Sequence, residues 1–225
     1  MRAIVSIGGS VLAPDLSADR VDRYAAAIQD LEDEGHELGV VVGGGTVARE
    51  YISAGRALGA NEIELDELGI AVTRLNARLL IAALDDRAAP APAEDYESGR
   101  AALRRGDVPV LGGTAAGQTT DAVAAAFAEY VDADRLVLAT SVAGVFDADP
   151  GTDSDATKFD RLSPGELLDV IRDIEMAAGS KAPVDLLAAK LIERSGLHAI
   201  VVDGTDPSHV AAAVAGDHDG TEIRP

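Results

Sequence analysis

Three short apolar runs in this chain each end in a glycine-rich turn that opens into a helical pattern, and this repetition limits the fold more than any other feature. Ala3–Ile7 leads into Gly8-Gly9-Ser10, Leu38–Val42 into Gly43-Gly44-Gly45, and Val108–Leu111 into Gly112-Gly113-Thr114. A fourth run, Arg135–Ala139, ends in Thr140-Ser141-Val142-Ala143-Gly144. Unbroken apolar runs of this length read as strands buried on both faces. Between and after them lie helical patterns: Ser17–Glu34, with Ser17 or Asp19 as N-cap, then Thr46–Leu58, Glu62–Leu84, Tyr96–Arg105, Asp121–Tyr130, Ser163–Asp173, Pro183–Ser195 and Asp206–Ala215. Ala199–Val202 reads as a further strand, and Arg87–Ala93 as an Ala/Pro-rich extended stretch. Strands that alternate with helices place crossover helices on both faces of a sheet. The expected fold class is therefore α/β, a three-layer α/β/α sandwich with a mainly parallel central sheet. No low-complexity linker or internal repeat divides residues 1–225, so one domain is expected, with two lobes meeting near residue 130. Within Glu62–Leu84, Leu65, Leu68, Val72, Leu75 and Leu79 mark one apolar face.

Glycine turns gathered at one edge of such a sheet line a rim with backbone N–H groups and helix N-termini, which suits phosphate groups. None of them fits the GxxxxGK[ST] loop, and GxGxxG with a following acid is absent, so a dinucleotide dehydrogenase is a weak reading. Composition narrows the field further. The 225 residues carry 39 acidic against 19 basic side chains, a net charge of −20, with 47% hydrophobic residues and no cysteine. The apolar content disfavours disorder, and the lack of cysteine excludes a disulfide scaffold, a thiolate metal site and a Cys nucleophile. A nucleic-acid partner is disfavoured, because phosphate contacts need clustered basic groups. No apolar run approaches the ~20 residues that span a bilayer, and Met1–Ser10 lacks the layout of a signal peptide, so a cytoplasmic protein with no membrane partner is expected. His36, His198, His209 and His218 are scattered, so no metal-ligand residues are expected. The acids are 25 Asp and 14 Glu; the bases are 16 Arg and only Lys158, Lys181 and Lys190. Such lysine-poor acidity fits life in high salt, where screening over ~3 Å at 1 M suppresses self-repulsion. An ordinary acidic protein is the alternative.

The ordered set of short motifs is specific even though no single piece is. It comprises Ile7-Gly8-Gly9-Ser10-Val11-Leu12, Val41-Val42-Gly43-Gly44-Gly45 with Ala48-Arg49 and Tyr51-Ile52, and Leu68-Gly69-Ile70 with Thr73-Arg74 and Asn76-Ala77. It continues with Gly112-Gly113-Thr114, Gly117 and Thr119-Thr120-Asp121-Ala122-Val123, then Ala139-Thr140, Gly144-Val145 and Asp149-Pro150. Leu187-Ala188-Ala189-Lys190, Glu193-Arg194-Ser195-Gly196 and Gly216-Asp217-His218 with Gly220-Thr221 complete it. From end to end the chain resembles the amino acid kinase superfamily, most closely its archaeal-type uridylate (UMP) kinases. The resemblance implies ATP-dependent phosphorylation of UMP to UDP with Mg²⁺, in pyrimidine nucleotide (CTP) synthesis. It also implies a homo-oligomer, a hexamer, with UTP as a common inhibitor. Within this resemblance the acceptor-nucleotide lobe covers about 1–130 and the ATP lobe about 131–225.

The resemblance assigns roles that the residues alone leave open. Gly9 and Ser10 would sit beneath the transferred phosphoryl, with Gly44 nearer UMP and Gly45 nearer ATP. Arg49 could fork two phosphate oxygens; a surface salt bridge to Glu50 or Asp66 is the ordinary alternative. Asp66 resembles the acid that bonds ribose hydroxyls. Thr114, Ala115, Ala116, Gly117, Gln118, Thr119 and Thr120 resemble the segment around the UMP base and α-phosphate, although a polar loop with Thr120 as N-cap reads equally well. Asp121 resembles an acid that organises a catalytic lysine or metal, and first-turn dipole stabilisation is its alternative. Thr140, Ser141, Phe146 and Asp149 resemble the ATP adenosine pocket, with Phe146 where Tyr is usual and Ser141 where Asn is common. The largest departure is Ser6, where many superfamily members carry a lysine. Arg49, Mg²⁺ and Lys181 or Lys190 would then neutralise the developing charge. Two other functions remain open on sequence: a small-acid kinase acting on acetylglutamate or carbamate, and an inactive nucleotide-binding assembly.

Overall fold

A computed structural model describes residues 1–176 and 184–225 of the chain, so Lys181 and Pro183 lie outside the described residues. Seven strands form one sheet: β1 (Arg2–Ile7), β2 (Glu37–Val42), β3 (Val110–Leu111), β4 (Arg135–Thr140), β5 (Arg161–Leu162), β6 (Ala199–Asp203) and β7 (Thr221–Ile223). Their order is β3-β2-β1-β4-β6-β7-β5, and all pairings are parallel except β6–β7. The helices are α1 (Gly9–Leu12), α2 (Ala18–Asp33), α3 (Gly45–Ala57), α4 (Glu62–Leu84), α5 (Tyr96–Arg105), α6 (Thr120–Tyr130), α7 (Pro164–Met176), α8 (Leu186–Ser195) and α9 (Pro207–Ala215).

Alternation along each strand splits the core in two. Val5, Ile7, Val137 and Val202 face Tyr24 and Ile28 of α2, Leu80 and Leu84 of α4, and Val210 and Val214 of α9. Ile4, Leu136, Leu138 and Val201 face the other way, onto Phe127 of α6, Leu167 and Ile171 of α7, and Ile192 of α8. Both strand faces are covered, which is why these runs carry no polar alternation. This is the three-layer α/β/α sandwich that the sequence pattern predicts.

Local chemistry starts the helices. Asn61 accepts from Glu64 N at 3.1 Å while the Glu64 carboxylate accepts from Asn61 N at 2.8 Å, a capping box that opens α4. Ser163 and Glu166 do the same for α7, and Asp185 caps α8 through Leu187 N and Ala188 N. For α6 the cap is Thr119, not Thr120: the Thr119 hydroxyl accepts from Ala122 N at 3.1 Å. Thr120 is already the first helical residue.

Several elements differ from the sequence expectation. The turn Gly8-Gly9-Ser10 is a helix start, with α1 making one turn from Gly9. β5 and β7 are two and three residues long and give periodicity too little length to register. Arg87 ends a short 3-10 turn, and the stretch after it touches β3's edge by bridges Ala88–Val108 and Ala93–Leu111. On α4 the buried residues are Leu65, Val72, Asn76, Ala77, Leu80 and Leu84, while Leu75 and Leu79 are 60% and 43% exposed. The buried stripe shifts because the helix changes partner. Its first half packs Leu65 and Leu68 against Gly55 of α3, and its second half enters the sheet-facing core beside α2.

Register places the strand ends level. Ile7 pairs with Val42 on one side and Ala139 on the other, and Val41 pairs with Leu111. The turns after β1, β2, β3 and β4 therefore emerge at one rim. The strand order reverses between β1 and β4, the place where parallel sheets open a crevice for ligands.

Candidate active site

At that rim the first two glycine turns interlock backbone to backbone. Gly8 N donates to Ala139 O at 3.2 Å and Gly43 N to Ile7 O at 2.9 Å. A Cβ on Gly9 would lie 2.2 Å from Gly45 N and 2.4 Å from Gly43 O, so no side chain fits there. Gly45 itself takes φ +65, a left-handed backbone that glycine adopts at little cost. The first N–H groups of α1 and α3 have no acceptor within their own helices, as at any helix start.

α4 holds this arrangement from below. Asn76, 4% exposed, donates from Nδ2 to Gly43 O at 2.8 Å. Thr73 accepts from Gly113 N at 2.7 Å and donates to Ile70 O at 2.7 Å, which docks the third glycine turn on the same helix. Sequence reasoning quoted both residues as family motifs but gave neither a role. The signal available was an Asn and a Thr interrupting an otherwise apolar helical stripe.

Between α3, α4 and the loop before α6 lies a cleft of about 260 Å³. Its lining includes Gly44, Gly45, Asp66, Ala115, Gln118, Thr119 and Thr120 from the sequence expectation, together with Thr73. The remaining loop residues flank it. Asp66 accepts from Gly117 N at 2.8 Å, and Thr114 donates to the Gln118 amide oxygen at 2.9 Å. Ala116 forms the turn between them. The Thr119 hydroxyl caps α6 and donates to the Asp185 carboxylate, so it is committed to protein on both counts. Thr120 points its hydroxyl toward the glycine turn, 3.1 Å from where a Cβ on Gly43 would stand.

Ser6 and Asp121 meet under the glycine turns, with the Ser6 hydroxyl donating to Asp121 Oδ1 at 2.7 Å. Burial pushes the Asp121 carboxyl up to about 6; the Ser6 hydrogen bond opposes the rise and the nearby Asp185 charge adds to it. The group is thus an acid with no cation among its described neighbours.

Arg49 is exposed on α3, and its guanidinium donates to Thr46 Oγ1 at 3.0 Å rather than to Glu50 or Asp66. Lys190 forms a surface pair with Glu193 at 3.2 Å on α8. Ser10 is exposed beside Gly9 at the start of α1. Thr140 ends β4, where its hydroxyl closes a tight turn with Val142, and Ser141 is exposed in that turn. Phe146 is half-buried, and Asp149 accepts from Gly151 N at 2.8 Å. His198 pairs with Glu222, and among the described residues no group of three or more His, Asp or Glu could hold a metal ion.

A rim of backbone N–H groups at helix starts beside a small cleft is an arrangement that can hold phosphate groups. The amino acid kinase family matches residues 1–203. A uridylate kinase of Haloarcula marismortui is 70% identical over 226 residues, covering 100% of this chain and 99% of its own. A uridylate kinase of Halobacterium salinarum is 66% identical, covering 100% of this chain and 94% of its own. The crystal structure of uridylate kinase from Archaeoglobus fulgidus superposes with a TM-score of 0.91 at 42% identity, covering 99% of this chain and 100% of that one.

Proposed function

The chain belongs to the amino acid kinase family, and from that premise we propose that it is a uridylate kinase. It transfers the terminal phosphoryl of ATP to UMP, giving UDP and ADP. The observation that carries this reading is full-length identity of 70% to a uridylate kinase, and the glycine-walled cleft supports it. An oxygen of the UMP phosphate attacks the γ-phosphorus in line. The bond from that phosphorus to its bridging oxygen breaks, and the electron pair leaves with ADP. The attacking oxygen is already anionic, so no general base is needed. Catalysis is positioning and charge neutralisation.

The roles then distribute as follows. Gly9, Ser10 and Gly45 offer backbone N–H groups to the phosphates at the β1 and β2 ends, with Gly44 on the UMP side. Arg49, free of any carboxylate among the described residues, swings onto phosphate oxygens. Asp66 exchanges Gly117 N for ribose hydroxyls. The loop from Thr114 to Thr120 encloses the acceptor, with the Thr120 hydroxyl unengaged among the described residues. Thr140, Ser141, Phe146 and Asp149 receive the adenosine, which makes the halves before and after residue 130 the acceptor and donor lobes.

Mg²⁺ fits this site as an ion borne by nucleotide phosphates. The described residues offer no all-protein cage, and Mg²⁺ commonly uses one carboxylate plus phosphates. Asp121, a part-buried acid with no cation among its described neighbours, is the group that would face it. When bound, the ion supplies positive charge to the transferred phosphoryl. Exposed Tyr51, Leu58 and Ile63 on and beside α3 support assembly into a homo-oligomer, the hexamer of the resemblance. UTP, built on the acceptor's own uridine, is the expected inhibitor. The setting is cytoplasmic pyrimidine nucleotide synthesis, and no described helix is long and apolar enough to cross a membrane. The test is ADP release in multi-molar KCl with UMP, CMP, acetylglutamate and carbamate as acceptors. Turnover with UMP is expected, and its absence overturns the reading.

A further inference from the structure

The loop between β4 and β5 carries Phe146 and Asp149 and folds back on itself as a narrow antiparallel ribbon. Phe159 N donates to Val145 O at 2.9 Å, Asp147 N donates to Thr157 O at 3.1 Å, and Phe146 bridges Lys158. The Asp149 carbonyl closes the ribbon's tip by accepting from Thr152 N and Asp153 N. Two strands this short do not hold themselves in water.

The start of β7 holds them. Thr221 is wholly buried, and its hydroxyl accepts from Val145 N at 2.8 Å and donates to Phe159 O at 2.6 Å. The directions are unambiguous, because an N–H only donates and a carbonyl only accepts. One hydroxyl therefore clasps one backbone group from each arm. Gly144 makes room for it: a Cβ there would lie 2.5 Å from Thr221 Oγ1, and its φ is +151. A second tie lies one step away, where the Lys158 ammonium donates to the Asp219 carbonyl.

We propose that Thr221 is a positioning residue for the donor nucleotide: its hydroxyl clasps both arms of the ribbon and so sets Phe146 against the purine base. The assignment of that base to the ribbon rests on the uridylate kinase reading. The acceptor cleft is built on α3, α4 and the loop before α6, and among the described residues no hydrogen bond joins these to Val145, Phe159 or Thr221. Loss of the hydroxyl therefore acts on ATP and spares UMP.

The test compares Thr221→Val and Thr221→Ser with the unmodified full chain in multi-molar KCl. Steady-state kinetics are measured with each nucleotide varied, and binding of a non-hydrolysable ATP analogue by calorimetry. For Thr221→Val the expected result is a rise of about fivefold or more in KM for ATP and in the analogue's Kd, since one buried and one part-buried backbone group lose their partner. KM for UMP and kcat stay within about twofold, and Thr221→Ser restores ATP affinity. Unchanged ATP affinity in Thr221→Val, an equal rise in both KM values, or failure of Thr221→Ser to restore binding overturns the proposal. Should Thr221→Val not fold, Lys158→Met removes the second tie: a selective rise in KM for ATP supports the clasp, and no change overturns it. Analogue binding that weakens in Thr221→Val, in a protein that does not phosphorylate UMP, would sink the kinase reading and leave the clasp standing.

Discussion

Asp121→Asn should make the protein more stable and a poorer catalyst, with a pH dependence that identifies the cause. The Asp121 carboxyl ionises near 6 in the fold against an ordinary 3.8, chiefly because burial strips its solvation. A raised folded value means that the folded state resists ionisation, so above pH 6 the charge weighs against folding. At 1.36 kcal/mol for each tenfold change in the ionisation constant, that penalty is about 3 kcal/mol at pH 7.5. It shrinks as pH falls through 6 and disappears below 3.8, where both states are protonated. Asn keeps the acceptor for the Ser6 hydroxyl and removes the charge. Chemical denaturation of both proteins, at one protein concentration in high KCl with chelator, should show the Asn variant ahead by about 3 kcal/mol at pH 7.5. In Tm that is roughly 6–12 °C for a chain of this length. The two should converge near pH 4. Turnover falls in the variant, the usual exchange of function for stability at a strained site. Equal stability at pH 7.5, or an advantage unchanged at pH 4, would refute the reasoning.

Other outcomes follow from the same geometry. Gly9→Ala places a methyl 2.2 Å from Gly45 N, so kcat should fall by about 10² or more from displaced donors, measured beside an intact circular dichroism spectrum. Asn76→Leu removes the donor to Gly43 O and leaves a buried carbonyl unpaired, which should cost about 1–3 kcal/mol in urea denaturation and raise KM for both nucleotides. Arg49→Ala leaves stability within about 0.5 kcal/mol because its only described partner is Thr46, yet kcat/KM should drop; near-full kcat/KM for both nucleotides would remove Arg49 from the mechanism. Dialysis to low salt should loosen the fold or its assembly through self-repulsion of a −20 chain, and a protein unaffected by it needs no high salt.

Much of the fold was legible in the residues because its signals are local. Apolar runs such as Ala3–Ile7 and Leu38–Val42 announce two-sided burial, and glycine turns announce where helices begin. Asn61 and Glu64, or Ser163 and Glu166, carry a cap within four residues. Elements without such local signals escaped: β5 and β7 are too short, and the buried stripe of α4 follows its change of partner rather than its own periodicity. The candidate site divided along the same line. Glycine-rich loops and the motif set pointed to Gly9, Gly44, Gly45 and the Thr114–Thr120 segment. The contacts that set their geometry lie far apart in the chain: Ser6 with Asp121 across 115 positions, Asn76 with Gly43 across 33, Thr221 with Val145 across 76. Thr119 shows the difference in one residue. Its sequence context reads as a nucleotide contact, and only the packing of α8 against α6 engages its hydroxyl with Asp185. By itself, then, the sequence determined a parallel α/β sandwich with phosphate-seeking turns, since burial period and backbone freedom are written residue by residue. The tertiary structure alone decided which side chains meet beneath those turns, because strand order and register bring together residues that no local pattern connects.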